Sequence, residues 1–236
     1  MQKAGSCGIF GSMKRLLFIP IFLCLIACQS EEQRAKTFVV QFGATDAARR
    51  TEASKALVAI GPEAIDALIR GLSDENLQVR EMSAWTLSEI GVPTARVAPA
   101  LISTLADPDE NIRVVGSVAL QNLGEPAVPY LIDALKAESM EIRLNAAYAL
   151  GEIGTPLDTI LPALISTLTD PEWNVRRLVV RALVTIGTPA LDSLIQALNS
   201  DDPDLRRMAA RALSDIGTPQ ARRALAEAKR QIPSDR

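Results

Sequence analysis

Arg143-Leu-Asn-Ala-Ala-Tyr-Ala-Leu-Gly-Glu-Ile-Gly154 opens on a cation, closes on glycine and keeps its most regular apolar positions three and four residues apart. Residues so spaced share one face of an α-helix, and the Ala and Leu content favours that helix, so the segment reads as a helix with one buried side. The closing glycine stands at the helix C-terminus, where a positive φ carries no Cβ penalty. The same frame returns along the chain. Gly61, Gly91, Gly124, Gly154, Gly187 and Gly217 are spaced 30, 33, 30, 33 and 30 residues apart. Eleven residues before each stands Arg50, Arg80, Arg113, Arg143, Arg176 or Arg206, and four before each a leucine: Leu57, Leu87, Leu120, Leu150, Leu183 or Leu213. Six matching registers make this a repeat.

Eight residues ahead of each arginine, Phe42, Leu72, Leu105, Leu135, Leu168 or Leu198 ends a second apolar segment, so each unit is two helices. Thr155-Pro156, Thr188-Pro189 and Thr218-Pro219 are expected to supply an N-cap hydroxyl and a proline at the first helical position. The acidic turns, such as Asp107-Pro108-Asp109-Glu110 and Asp170-Pro171-Glu172, are expected to cap the following helix. A lone pair cannot bury both apolar faces, so the units must stack into one continuous core. The fold expected is all-α, a right-handed α-solenoid of about six helix pairs over residues 38–236, with layers about 10 Å apart. Pro99–Leu105 is identical to Pro162–Leu168, and three extra residues precede this segment in the 33-residue units. Alternate layers should therefore differ in first-helix length.

These repeats resemble HEAT repeats, specifically the short type of phycobilisome-lyase-like proteins, over about residues 38–217 with a terminal helix to about Gln231. Pro99, Pro129 and Pro162, then Asp74, Asp107 and Asp170, then the arginines fall where that family has its Pro, Asp and Arg. The resemblance implies a structural ladder between neighbouring turns made by Asp74, Asp107 and Asp170 with Arg80, Arg113, Arg143, Arg176 and Arg206. Ala44, Ala137 and Ser200 occupy the Asp column and should break it. It also implies that the second helices line the inner surface.

On those helices the first and fifth residues after the arginine lie one turn apart and should face outward. The candidate partner-binding residues are Trp85, Val118, Tyr148, Arg177, Arg181, Arg207 and Arg211: an apolar and aromatic middle, then an arginine-rich end. Such a surface suits a protein partner offering an extended or helical segment with acidic groups. Trp173, in an inter-helix turn beside Asp170 and Pro171, is expected to cap the end of the core, with a second partner contact as the alternative.

Chemistry is constrained by composition. The chain has no His, and its three Cys (Cys7, Cys24, Cys28) all lie near the N-terminus, so no metal site, cofactor or catalytic residue is expected and the protein reads as a non-enzyme. The related phycobilin lyases act in the cytoplasm, and deoxyhypusine hydroxylases hold iron through His-Glu pairs that this chain cannot copy. An enzyme or chaperone related to the phycobilin lyases, acting on a chromophore or protein substrate, is the first alternative, and a purely structural spacer the second. Lys3, Lys14 and Arg15 are the only charged residues among the first 27, which leaves the remainder at −6 and disfavours nucleic acid. Asp201-Asp202 and Glu31-Glu32 are sequence neighbours, not carboxylates facing across a cleft, and are assigned to solvent.

The N-terminus reads as an address. Met13-Lys14-Arg15 precedes an uncharged run from Leu16 to Cys28, too short to span a bilayer but suited to a signal peptide over residues 1–27, with Met13 a candidate start. Leu25-Ile26-Ala27-Cys28 resembles the lipobox of bacterial lipoproteins, which implies acylation of Cys28 and a membrane attachment through lipid. Residues 28–37 then read as the lipidated Cys and a polar tether. The expected location is the periplasmic face of a membrane, and Gln29 after the Cys favours the outer one by resemblance to enteric lipoproteins. The solenoid itself is expected to be a monomer.

Overall fold

The computed structural model describes residues 30–91 and 94–231. The expected signal peptide (1–27), the Met13 start and the lipidation site Cys28 lie outside the described residues. Six helix pairs follow one another: α1 (Glu31–Gln41) with α2 (Ala47–Ile60), α3 (Ile65–Gly71) with α4 (Leu77–Ile90), and α5 (Thr94–Thr104) with α6 (Glu110–Leu123). Next come α7 (Val128–Ala134) with α8 (Met140–Ile153), α9 (Leu157–Thr167) with α10 (Trp173–Ile186), and α11 (Leu191–Leu198) with α12 (Pro203–Ile216). A final helix, α13 (Pro219–Gln231), closes the stack. The architecture is an α-solenoid.

Every second helix is 14 residues long. The six repeat glycines that end them have φ between 63 and 74°. At their N-termini the side chains of Asp46, Asn76, Asp109, Ser139 and Asp202 accept first-turn amides. The first helices alternate as the repeat lengths require. In the 33-residue units α5 and α9 are continuous over 11 residues, whereas in the 30-residue units a single 3₁₀ turn leads into a shorter α3, α7 or α11. The threonine caps need correction. Thr218 Oγ1 accepts from the Ala221 amide at 3.2 Å, but Pro156 and Gly187 occupy the cap positions after Thr155 and before Thr188, whose hydroxyls cap nothing.

The tether expected over 28–37 is also corrected from Glu31 onward. Ser30 Oγ accepts from the Gln33 amide, Glu31 and Glu32 sit at the positive helix end, and Arg34 and Lys36 pair with them one turn on. Ala35, Val39 and Phe42 are buried, so this polar stretch is the first helix of the first pair. Its exposed charges masked a narrow apolar stripe.

The repeat leucines Leu57, Leu87, Leu120, Leu150, Leu183 and Leu213 are fully buried in one continuous core. From α4 onward the second helices pack on one another more extensively than the first helices do.

The ladder takes a different form from the one implied. Each arginine reaches back through Nη1 to the carbonyl six residues earlier: Arg50 to Ala44, Arg80 to Asp74, Arg113 to Asp107, Arg143 to Ala137, Arg176 to Asp170 and Arg206 to Ser200, at 2.5–2.9 Å. This clasp tolerates any residue in the acidic column, because it uses only a backbone oxygen. True rungs between units form twice: Arg80 Nε lies 3.0 Å from Asp107 Oδ2, and Arg143 Nε 2.7 Å from Asp170 Oδ2. Asp74 makes none. Its carboxylate accepts the Asn76 amide, and Arg50 is held by the Ala44 and Thr45 carbonyls. Arg113, Arg176 and Arg206 likewise clasp without a rung. Both rungs run from a 30-residue unit to the 33-residue unit after it, so the ladder repeats with the 63-residue double unit.

Candidate interaction face

Three rows run across the second helices: the residues three before, one after and five after each clasping arginine. Spaced by four, they stack on one side of each helix, opposite the buried leucines. On α4 this places Trp85, on α6 Val114 and Val118, on α8 Leu144 and Tyr148, on α10 Trp173, Arg177 and Arg181, and on α12 Arg207 and Arg211. Trp85 is 41%, Val114 55% and Trp173 46% exposed, large apolar side chains left in water on one face. Val118 and Tyr148 are half-buried, while Arg177, Arg181, Arg207 and Arg211 are exposed.

The arginines differ in how they are held. The Arg181 guanidinium lies 5.8 Å from the Tyr148 ring centroid, one helix over. Arg207 is paired with Asp204 on its own helix at 2.8 Å, with both side chains mostly exposed. Arg211 lies 5.1 Å from the Trp173 ring and Arg176 5.6 Å from it. Trp173 is thus no terminal cap of the core. It is the first residue of α10, flanked by guanidiniums on the same face as Arg177 and Arg181. Its spacing was the available signal: Trp173, Arg177 and Arg181 are four apart, which places them on one side of a helix once the helix starts at Trp173 and not after it.

Among the described residues no group of three or more Cys, Asp or Glu is placed to hold a metal ion. An open cleft of about 580 Å³ between α12 and α13, lined by Leu198, Pro203, Ala210, Leu225 and Ala228, marks the end of the stack, where α13 has no second helix against it among those residues. Nor is any single described helix long and apolar enough to cross a membrane.

Paired helices in register around a shared core define an α-solenoid repeat protein. The chain belongs to the HEAT-repeat family, whose description it matches over residues 36–113, 98–160 and 161–235. Among solved structures it is similar to the MAST/Orbit N-terminal domain at 21% identity and a TM-score of 0.53, covering 82% of this chain and 97% of that one. It is also similar to the complex of CpcE and CpcF of phycocyanin lyase from Nostoc sp., at 25% identity and a TM-score of 0.38, over 85% of this chain and 82% of that one. A designed armadillo repeat protein in complex with the peptide (KR)4 matches at 20% identity and a TM-score of 0.38, over 77% and 98%. A comparison with the curated proteins finds no match.

Proposed function

We propose that the protein is a non-enzymatic scaffold that binds a segment of a partner protein along its second-helix face, held to an extracytoplasmic membrane surface by acylated Cys28. HEAT repeats suggest a protein-interaction scaffold in general. The observation that carries the reading here is the exposure of Trp85, Val114 and Trp173 on one side of the second helices, beside half-buried Tyr148. Apolar side chains gathered on one face cost solubility unless something covers them, and Trp and Tyr give large contact area at low entropic cost.

The test is recovery of crosslinked partner from the protein's own cells. Trp85→Ala with Tyr148→Ala is expected to reduce recovery at least tenfold while leaving the circular dichroism spectrum unchanged, since neither side chain belongs to the fully buried core. Recovery equal to that of the unaltered chain would remove the face from the account. The anchor is tested separately. Cys28→Ala is expected to abolish incorporation of labelled palmitate and release the protein from the membrane fraction; unchanged sedimentation with membranes would refute acylation as the attachment.

A further inference from the structure

We infer that the arginine-rich end of this face takes an acidic peptide in extended, polyproline-II-like form, one carboxylate to each of α10 and α12, with Trp173 as a contact residue. The inference rests on the reading of the face as a binding surface. It narrows the acidic, extended or helical segment expected from the sequence to one conformation and one spacing, and adds Trp173 to the residues that contact it.

Preorganisation is the first argument. Tyr148 on α8 underlies Arg181 on α10, and Trp173 on α10 underlies Arg211 on α12, so each stack bridges neighbouring repeats. A guanidinium lying over an aromatic ring is held there and keeps its N–H edges free, so it meets a carboxylate with less ordering still to do. Free positive charge is the second. Arg177, Arg181 and Arg211 have no carboxylate within 4.0 Å among the described residues, although Arg207 beside them is paired with Asp204. Glu152 and Asp215, one turn further along α8 and α12, pair with none of them. In a chain of net charge −3 this makes the arginine-rich end a local basic patch, complementary to an anionic segment.

Spacing decides the conformation. Neighbouring packed helices lie about 8–10 Å apart. A polyproline-II chain rises about 3.1 Å per residue and returns to the same face every third residue, or about 9.3 Å. Two carboxylates three residues apart therefore reach α10 and α12 together, whereas same-face residues of a β-strand, ~6.7 Å apart, fall short of that spacing.

The experiment titrates the full chain with a peptide of four Glu-Pro-Pro repeats and follows tryptophan fluorescence, Trp85 and Trp173 being the only two tryptophans. Saturable binding is expected, with the signal retained in Trp85→Phe and lost in Trp173→Phe. A Gln-Pro-Pro peptide and a peptide of alternating Glu-Pro should each bind at least tenfold more weakly. Arg181→Glu with Arg211→Glu should weaken binding at least tenfold, and Arg211→Gln alone severalfold, with melting temperatures unchanged. Equal binding of the Gln peptide, indifference to the arginine variants, or tighter binding of phosphatidylglycerol vesicles or inorganic phosphate than of the Glu peptide would overturn the inference. If partner recovery still depends on Trp85 and Tyr148 after such a result, the face stands and only its acidic occupant falls. If neither pair matters, the face falls as well.

Discussion

Gly151→Leu is expected to split the unfolding of this protein into two steps and to cost about 3 kcal/mol at the junction between α8 and α10. An ideal Cβ at Gly151 would stand 2.6 Å from Ala182 Cβ and 2.7 Å from Ala182 Cα, well inside the ~3.5–4.0 Å at which carbon atoms rest. The obstacle is the partner helix itself, so no rotamer change relieves it. Gly116 and Gly71 are crowded chiefly by the hydroxyls of Thr104 and Ser83, which can rotate aside, and alanine there should cost less. A leucine at 151 has to push α8 and α10 apart. Because each unit touches only its neighbours, the damage stays at one interface, and four N-terminal pairs come uncoupled from the two that follow. Urea titration by circular dichroism should show a second transition, and proteolysis in mid-range urea should cut near residues 154–156. Gly151→Ala combined with Ala182→Gly should stay destabilised, because the Cα of residue 182 still stands 2.7 Å from the new methyl once the alanine side chain is gone. One sharp transition at the unaltered midpoint would show that the crossing adapts to bulk.

That crossing illustrates where the sequence stopped being informative. The columns of Gly, Arg and Leu disclose the number of pairs, the helix ends and the buried faces, because each column answers a local demand: a positive φ, a clasp on a turn, a core contact. The 30- and 33-residue alternation likewise foretells which first helices are continuous. Gly151 carries no such mark. It is a helical glycine one turn before the repeat glycine, and its reason for being small is Ala182, on another helix 31 residues away. Asp74 misled for the converse reason. Its column position is right, but whether a carboxylate meets the previous unit's arginine depends on the offset between layers, which a repeat alignment does not encode. The opening helix was hidden because its stripe is only Ala35, Val39 and Phe42 amid charges. Of the candidate face, the rows at one and five residues past the arginine were legible from helical spacing alone. The pairing of Trp173 with Arg211 was not, since it joins different repeats through side-chain reach.

Asp170→Ala is expected to cost about 3–5 kcal/mol, the range for stranding one member of a buried ion pair. Asp170 Oδ2 accepts from Arg143 Nε at 2.7 Å, and Oδ1 accepts from Arg143 Nη2 at 3.1 Å and from the Glu172 amide at 2.8 Å. The two side chains are only 12% and 5% exposed, so solvent cannot replace the missing carboxylate. The Arg143 guanidinium cannot shed its charge instead: donating to Asp170 raises its pKa in the unaltered chain, and without that carboxylate an arginine still keeps its proton in a folded protein. Asp74→Ala is the matched control: exposed, bonded to the Asn76 amide and free of any rung, it should cost only about 1 kcal/mol. Arg143→Met with Asp170→Leu should recover much of the loss, since removing both charges removes the desolvation that one alone cannot offset. Arg143 and Asp170 join the same two units as Gly151 and Ala182, so Asp170→Ala and Gly151→Leu should cost less together than the sum of their separate effects: an interface already opened has little left to lose. The same interface lies beneath Tyr148 and Arg181, whose stack crosses it. Asp170→Ala should therefore weaken Glu-Pro-Pro peptide binding in urea concentrations too low to unfold either half, while Asp74→Ala leaves binding alone. If Asp170→Ala proves as mild as Asp74→Ala in urea titrations of both, the rung contributes nothing beyond the backbone clasp that all six arginines share.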